Sequence, residues 1–478
     1  PDKAALRFKG QAWSYAELKS WVDDLASGLS STIARGDRIA FLGHNCAAEI
    51  ALFFAAAKIG AIVVPLNWRL ATDELRFIVE DAGAALLIYG DECAATANAI
   101  PDVARLSADE MTRLSGSAPA ATGALQDPLL IVYTSGTTGR PKGAVLTQEA
   151  VFWNALNSLH AHDLTAMDHV LNVLPLFHVG GINIQVMPCF FVGGTVTLHA
   201  VFDPKATLKA LETDGITSTV CVPTMMQALL SEPAWKTAQL PALRLMTIGS
   251  TDVPVDILQV VHDRGVPMIQ VYGSTETGPI ASYQRAIEAK STTGSIGRAA
   301  AHLQLSVRDG SGRECAVDEP GELWVKGPNL FREYWNNHKA TRAAMQDGWF
   351  KTGDVARQDR NGLYWFVSRL KHVIISGGEN IYPAEIERLL ARLPGVAEVA
   401  VVGRPDPIWG EVPVAVAVLH PGGPTKQAIL EACEGQIARF KQPKDVVLLD
   451  ALPKNALGKV LVDEVRALAA GRTPSGVT

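Results

Sequence analysis

The chain has 478 residues, enough for two or more domains with sizeable cores, and 48% of them are hydrophobic, which excludes a disordered chain. A formal net charge of -6 argues against a nucleic-acid partner, which calls for a basic face. Six dispersed cysteines with no C-x-x-C pair give no metal-site signal and read as reduced, buried thiols of a cytoplasmic protein.

The chain opens at Pro1 without Met, so a short upstream piece is expected, and no signal peptide is visible. SYAELKSWVDDLASGLS has helical spacing, with Ser14 as N-cap and Glu17 completing a capping box. RIAFLG reads as a strand, AEIALFFAAAKIG as an apolar helix and AIVVPL as a strand. The apolar stretch 50–66 is broken by Lys58 and Gly60 and is too short to span a bilayer, so no integral membrane segment is expected. TDELRFIVEDAG is a capped helix and ALLIYG a strand. This is the rhythm of an α/β domain with a largely parallel sheet.

Residues 133–143 read YTSGTTGRPKG, where seven of eleven residues are Ser, Thr or Gly. Such a loop offers backbone N–H groups and hydroxyls at close approach plus one cation, which suits a polyphosphate. It is not the common nucleotide loop, which needs Gly-Lys-Ser/Thr; here Pro141 precedes Lys142 and Gly143 follows. The apolar runs LLIVY and GAVLT on either side favour a phosphate loop between two strands over a flexible linker.

The α/β alternation resumes in FDPKATLKALETDG, ITSTVCVP and TMMQALLSE, and ALRLMTIGS and VPMIQVYGS are strands ending in small residues. Ligands sit at such strand ends. After about Gly294 short strands and turns suggest a small β-barrel-like unit. The last hundred or so residues are mixed, with IYPAEIERLLARL and TKQAILEACEGQI read as helices and VAEVAVVGRPD and VPVAVAVLH as strands. A domain boundary is placed at 369–371, giving domains 1–369 and 370–478.

Five further motifs stand in order: LPLFHVGG (174–181), QVYGSTETG (270–278), KTGD (351–354), SRLKHVIISGGENIYPAEIE (368–387) and LPKNALGKV (452–460). With the phosphate loop, they make the chain resemble the adenylate-forming superfamily of acyl-CoA synthetases, peptide-synthetase adenylation domains and luciferases over essentially its whole length. The resemblance implies a large N-terminal domain of parallel-sheet α/β subdomains with the β-barrel-like unit, then a small mobile α+β domain. It implies two half-reactions, in which a carboxylate attacks the α-phosphate of ATP and the thiol of coenzyme A then attacks the acyl adenylate. A carboxylate is already ionised at pH 7, so the first half needs alignment and charge neutralisation rather than a base.

By this resemblance Thr134, Ser135, Gly136, Thr137, Thr138, Gly139 and Lys142 cradle the β- and γ-phosphates. Glu276 is the Mg2+ ligand, a role for which one carboxylate suffices; outside the motif it would read as an exposed loop acid. Thr275 bonds the α-phosphate, Ser250 and Thr251 border the nucleotide, and Tyr272 stacks on adenine, although alone it would read as a core aromatic. Asp354 and Arg369 grip the ribose hydroxyls, because a carboxylate accepts two hydroxyl protons well. Lys459 is the mobile catalytic lysine that bridges the attacking carboxylate and the α-phosphate. His178 lines the acyl pocket and gates the thiol tunnel; a satisfied core histidine is the competing reading, and no base role is given to it. Lys371 is the hinge about which one orientation inserts Lys459 and the other presents Gly377 and Gly378 to pantetheine.

Three positions depart from the family pattern. IGSTDVP, with Thr251 and Asp252, replaces a run of small residues; His372 replaces an acid and makes the hinge pH-sensitive; Val462 replaces an Arg. The acyl pocket would be drawn from His178, Val179, Gly180, Asn183, Val222, Pro223, Thr224, Ile248, Gly249, Gly273 and Ile280. It is mainly apolar and holds no cation for a second carboxylate, so a fatty or aryl monocarboxylate fits, with Asn183 either on a ring hydroxyl or on its own backbone. The leading expectation is an ATP-dependent acid:CoA ligase with Mg2+, and a homodimer is compatible with it. The alternative is a stand-alone adenylating enzyme that loads a carrier protein. It is disfavoured by the short tail after Lys459, which has no Asp-Ser attachment segment.

Overall fold

The computed structural model describes residues 1–116, 122–134, 141–249, 253–376, 379–454 and 460–471. They fall into two compact units, one of Pro1–Leu305 with Trp324–Lys351 and one of Ser306–Leu323 with Thr352–Thr478. Among the described residues, no helix is long and apolar enough to cross a membrane.

The first unit is built on two large sheets. In one, seven strands lie in the order Glu333–Tyr334, Lys142–Thr147, Pro128–Thr134, Ile62–Leu66, Arg38–Leu42, Leu86–Tyr89, Ala104–Ser107 among the described residues. The strands from Pro128 through Ser107 in that order pair in parallel, and the two at the other edge pair antiparallel. The parallel part needs a helix over each face, which is why its inner strands read as near-continuous apolar runs, whereas the edge strand Ala104–Ser107 is half-exposed and polar. The helix Ala47–Ile59 supplies one cover and is buried on most of its circumference, from Ala47 through Phe53 and at Ala55, Ala56 and Ile59. Gly60 ends it in the left-handed conformation that glycine adopts without strain. The capping box expected at Ser14 forms: Glu17 N–H donates to the Ser14 hydroxyl at 3.2 Å, and Ser14 N–H donates to the Glu17 carboxylate at 2.7 Å.

The second large sheet has nine strands among the described residues, running from Arg298–Ala299 through Ser282–Tyr283, Met268–Tyr272, Leu245–Ile248, Ser218–Cys221, His169–Asn172, Thr195–Leu198 and Ala4–Phe8 to Gln11–Ser14. Its interior pairs are parallel, and register aligns Cys221 with Ile248 and Ile248 with Gln270. Three neighbouring strands therefore end at one rim of the sheet, at Cys221, Ile248 and Tyr272, followed by Val222, Gly249 and Gly273, with the third strand running two residues further than the other two. The core beneath is apolar: Leu171, Cys221, Met226, Leu229, Met246 and Leu258 are fully shielded. Each large side chain so buried contributes about 1.5–3 kcal/mol.

In the second unit the strand Tyr364–Arg369 runs antiparallel to Trp349–Gln358. Another sheet orders Glu379–Ile381, Ile374–Ser376, Gly410–Leu419 and Val396–Asp406, with Asp445–Leu448 parallel to Gly410–Leu419. Pro405 is accommodated because Val396–Asp406 is an edge strand. The helix expected over 425–437 ends sooner, at Glu431, and left-handed Gly435 follows. Val462 opens the helix Val462–Ala469 and packs against the cluster of Val402, Val414, Val416 and Val465. A hydrophobic residue where the family often has Arg thus has a packing role. All six cysteines are free; four are buried and Cys46 and Cys315 are half-buried, so the expectation of wholly buried thiols holds for four.

Candidate active site

The glycine-rich loop is framed by a hairpin. Pro128–Thr134 and Lys142–Thr147 pair antiparallel, with Thr134 opposite Lys142. Both strands are apolar because they belong to the buried sheet, and Tyr133 is fixed by donating its hydroxyl to Asp81 at 2.6 Å. Ser135, Gly136, Thr137, Thr138 and Gly139 lie outside the described residues, as do Ser250, Thr251, Gly377, Gly378 and Lys459.

Tyr272 ends the strand Met268–Tyr272, and Thr275–Thr277 form a single tight turn directly after it. The route through this turn requires Gly273, because a Cβ there would lie 1.7 Å from the Pro279 carbonyl oxygen and 2.6 Å from the Thr277 hydroxyl. Ser274 N–H donates to the Thr277 hydroxyl at 2.8 Å, closing the turn. Thr275 is buried and Glu276 half-buried. Tyr334 donates its hydroxyl to Glu276 Oε1 at 2.7 Å, and Phe331 N–H donates to the Glu276 carbonyl at 2.8 Å. Among the described residues, Glu276 Oε2 accepts no hydrogen bond. A single carboxylate with one oxygen oriented and the other open fits a hard divalent ion that draws its remaining ligands from phosphate and water. Burial, then the charge of Glu276, pushes the Tyr334 phenol far above its ordinary value, so it stays a donor.

Three amide side chains grip the residues after Glu276. Asn183 donates Nδ2 to the Gly278 carbonyl at 3.0 Å, and Asn154 Oδ1 accepts from Ile280 N–H at 3.0 Å. Asn329 donates Nδ2 to the Thr277 carbonyl at 2.6 Å and to the Ile280 carbonyl at 3.0 Å. Asn154 also donates to the Asn183 carbonyl at 2.8 Å. All three are buried. Asn183, expected on a ring hydroxyl or its own backbone, thus spends its donor on the turn that carries Glu276.

His178 caps the short helix Val179–Asn183. Its Nδ1 accepts from Gly180 N–H at 3.1 Å, which places the proton of the neutral ring on Nε2. Gly181 allows that helix to press on the preceding turn, since a Cβ would come 2.2 Å from the Pro175 carbonyl oxygen. The ring therefore has a positioning duty, and Nδ1 is already occupied.

In the second unit, Asp354 stands opposite Arg369 in the strand register, with Arg369 Nε 3.1 Å from Asp354 Oδ1. The two residues singled out for the ribose are therefore neighbours. Lys371 Nζ lies 3.7 Å from Asp463. The adjacent His372 is half-buried, and burial, with Lys371, Arg369 and Arg466 opposing protonation and Asp463 favouring it, lowers its pKa from 6.5 to about 4. The unfolded chain then binds the proton more readily, so the stability contributed by the neutral ring is present above pH 6.5 and lost as pH falls from 6.5 toward 4. The urea midpoint of the wild type should drop across this window more steeply than that of His372→Asn. Parallel curves would remove this effect.

The ends of the segment that carries Lys459 are tied together. Lys454 and Val460 form an antiparallel bridge, and Leu461 N–H donates to the Pro453 carbonyl at 2.9 Å.

Reading by sequence missed Tyr334, Asn154 and Asn329. Tyr334 stands in a short strand pairing with the exit strand of the phosphate hairpin, Tyr334 opposite Ala144. The only signal was an aromatic in FREYW after a Gly-Pro-Asn turn.

Residues 1–335 match the family described as AMP-binding enzyme, and residues 385–459 match its C-terminal domain. An indoleacetate–CoA ligase of Aromatoleum aromaticum is 46% identical, over 99% of this chain and 96% of the relative. A feruloyl-CoA synthase of Amycolatopsis is 41% identical, over 98% and 96%. Among solved structures, o-succinylbenzoate coenzyme A synthetase from Bacillus subtilis in complex with ATP and magnesium ion superposes with a TM-score of 0.88 at 32% identity, over 97% of this chain and 96% of that one.

Proposed function

This chain belongs to the AMP-binding enzymes, the adenylate-forming superfamily, and is an ATP-dependent acid:CoA ligase that works through an acyl adenylate; we propose that its acid is an aryl-substituted monocarboxylate. The observation that carries the substrate reading is the rim of the nine-stranded sheet, where three adjacent strands end at Cys221, Ile248 and Tyr272 and are followed by Val222 and Pro223, by Gly249 and by Gly273. The residues after the strand ends are apolar or small, as a flat ring requires, and Gly273 leads into Thr275 and Glu276. The relatives named for indoleacetate and ferulate support the aryl choice over a long alkyl chain.

In the first half-reaction the ionised carboxylate attacks the α-phosphorus and pyrophosphate leaves. Lys142 and the glycine-rich loop hold the outer phosphates, and Thr275 donates to the α-phosphate. Glu276 would hold Mg2+, which would supply charge neutralisation at the phosphates. Asp354, oriented by Arg369, accepts from the ribose hydroxyls, and Tyr272 lies against the adenine. Lys459 supplies a point cation where attacking and phosphate oxygens crowd, and catalysis is alignment plus charge compensation. In the second half the thiol of coenzyme A attacks the acyl carbon and AMP leaves. The C-terminal domain, 370–478, turns about Lys371 between the halves and brings Gly377 and Gly378 to the pantetheine arm. A cytoplasmic setting agrees with these substrates.

The test is release of AMP with coenzyme A and MgATP across indole-3-acetate, ferulate, cinnamate, benzoate, acetate, malonate and palmitate. Aryl acids should exceed palmitate by at least about tenfold in kcat/KM, the value of about 1.4 kcal/mol of pocket fit. Palmitate as the best substrate would overturn the aryl assignment.

A further inference from the structure

Residues 329–335 form a strap that is bonded on one side to the exit strand of the phosphate hairpin and on the other to the turn carrying Glu276. On the hairpin side, Arg332 N–H donates to the Val145 carbonyl at 2.8 Å and Trp335 N–H to the Gly143 carbonyl at 2.7 Å. On the other side, Asn329 holds the Thr277 and Ile280 carbonyls and Phe331 N–H holds the Glu276 carbonyl. Tyr334 touches both groups that matter for phosphate charge. Its ring face lies 5.3 Å from Lys142 Nζ and its hydroxyl lies 2.7 Å from Glu276 Oε1. The ring is buried, 8% exposed, with the Phe331 ring centroid 4.8 Å away, so its hydroxyl has little freedom to point elsewhere.

We propose that Tyr334 is the positioning residue of the nucleotide's metal site: its hydroxyl fixes the rotamer of Glu276 so that Oε2 is presented to the divalent ion, and its ring steadies the ammonium of Lys142. The proposal rests on Glu276 being the metal ligand. Orienting partners of metal-ligating carboxylates typically set affinity by about 10–100-fold. A cation over an aromatic face is attracted by the ring quadrupole, which survives removal of the hydroxyl. The two contacts can therefore be separated by substitution.

Mn2+ binding, followed by the loss of the free-ion electron spin resonance signal in the presence of a non-hydrolysable ATP analogue, reads the site without turnover. Tyr334→Phe should weaken Mn2+ binding by about 10–100-fold while leaving analogue affinity without divalent ion unchanged. In turnover it should raise the Mg2+ concentration needed for half-maximal rate, with kcat recovered at saturating Mg2+. Conversion of supplied acyl adenylate and coenzyme A to thioester should be unaffected. Tyr334→Leu, which also removes the ring, should weaken analogue affinity without metal as well. Unchanged Mn2+ affinity in Tyr334→Phe, with Glu276→Ala having lost it, overturns the proposal and leaves Glu276 as ligand. Unchanged Mn2+ affinity in Glu276→Ala overturns the reading of Glu276 on which the proposal stands. If Tyr334→Phe does not fold, 3-fluorotyrosine at position 334 alone carries the test. It makes the phenol a stronger donor at nearly constant volume, so a shifted Mn2+ affinity supports the bond and an unshifted one overturns it.

Discussion

Lys459→Ala should abolish acid-dependent exchange of pyrophosphate into ATP, by about 10²–10³-fold or more, and still convert supplied acyl adenylate and coenzyme A to thioester at near wild-type rate. On the proposed role, the size follows from removing a cation that offsets negative charge in the transition state. The asymmetry follows from its proposed role in one half-reaction only. The measurement is a pair of assays on one preparation, isotope exchange for the first half and thioester formation for the second. Loss of both halves to the same extent would contradict a lysine that is present for one step and withdrawn for the other. Retention of exchange would remove Lys459 from the chemistry.

The second large effect is expected at a residue with no side chain. In Gly273→Ala the new carbon would fall 1.7 Å from the Pro279 carbonyl oxygen, and backbone cannot yield as a flexible side chain can. Either the strand end or the turn after it must move. Forced overpacking of this kind costs about 3 kcal/mol. The turn carries Thr275 and Glu276, and a displacement of about 1 Å in groups that align reactants costs about 10²-fold in rate. Urea unfolding and pyrophosphate exchange should therefore fall together. An alanine variant with wild-type stability and exchange would show that the crowding at this turn is unimportant.

The parts of the site legible in the sequence are those where chemistry and local pattern coincide. The loop 133–143 announced itself by composition, and its flanking apolar runs became the hairpin strands. Asp354 and Arg369 lie fifteen positions apart, yet two β-like runs joined by a turn put them in register. Strands such as Ile62–Leu66 were legible because burial on both faces makes them uniformly apolar. What stayed hidden is spatial. Asn154 is one amide on a long helix, Asn329 one amide after a proline, and Tyr334 one aromatic in a two-residue strand. None has a neighbour in sequence that betrays its partner, which is more than fifty residues away in each bond to the turn except that of Asn329 to Ile280. At His178, for which the family resemblance implied a pocket or tunnel role and the residue alone a satisfied histidine, the local geometry shows a helix cap at one ring nitrogen, which sequence does not reveal.

The three amides that clamp the turn after Glu276 also decide where substrate range can be retuned without harm. On the proposed pocket, Val222, partly buried just past the end of its strand, is the place where a larger or smaller side chain should alter who is admitted, whereas Ile248 is fully buried in the core. Ile280 is different: its N–H is held by Asn154 and its C=O by Asn329, on the same span that Glu276 begins. A library that varies 222 should yield altered selectivity at preserved turnover, whereas one that varies 280 will trade selectivity against catalysis.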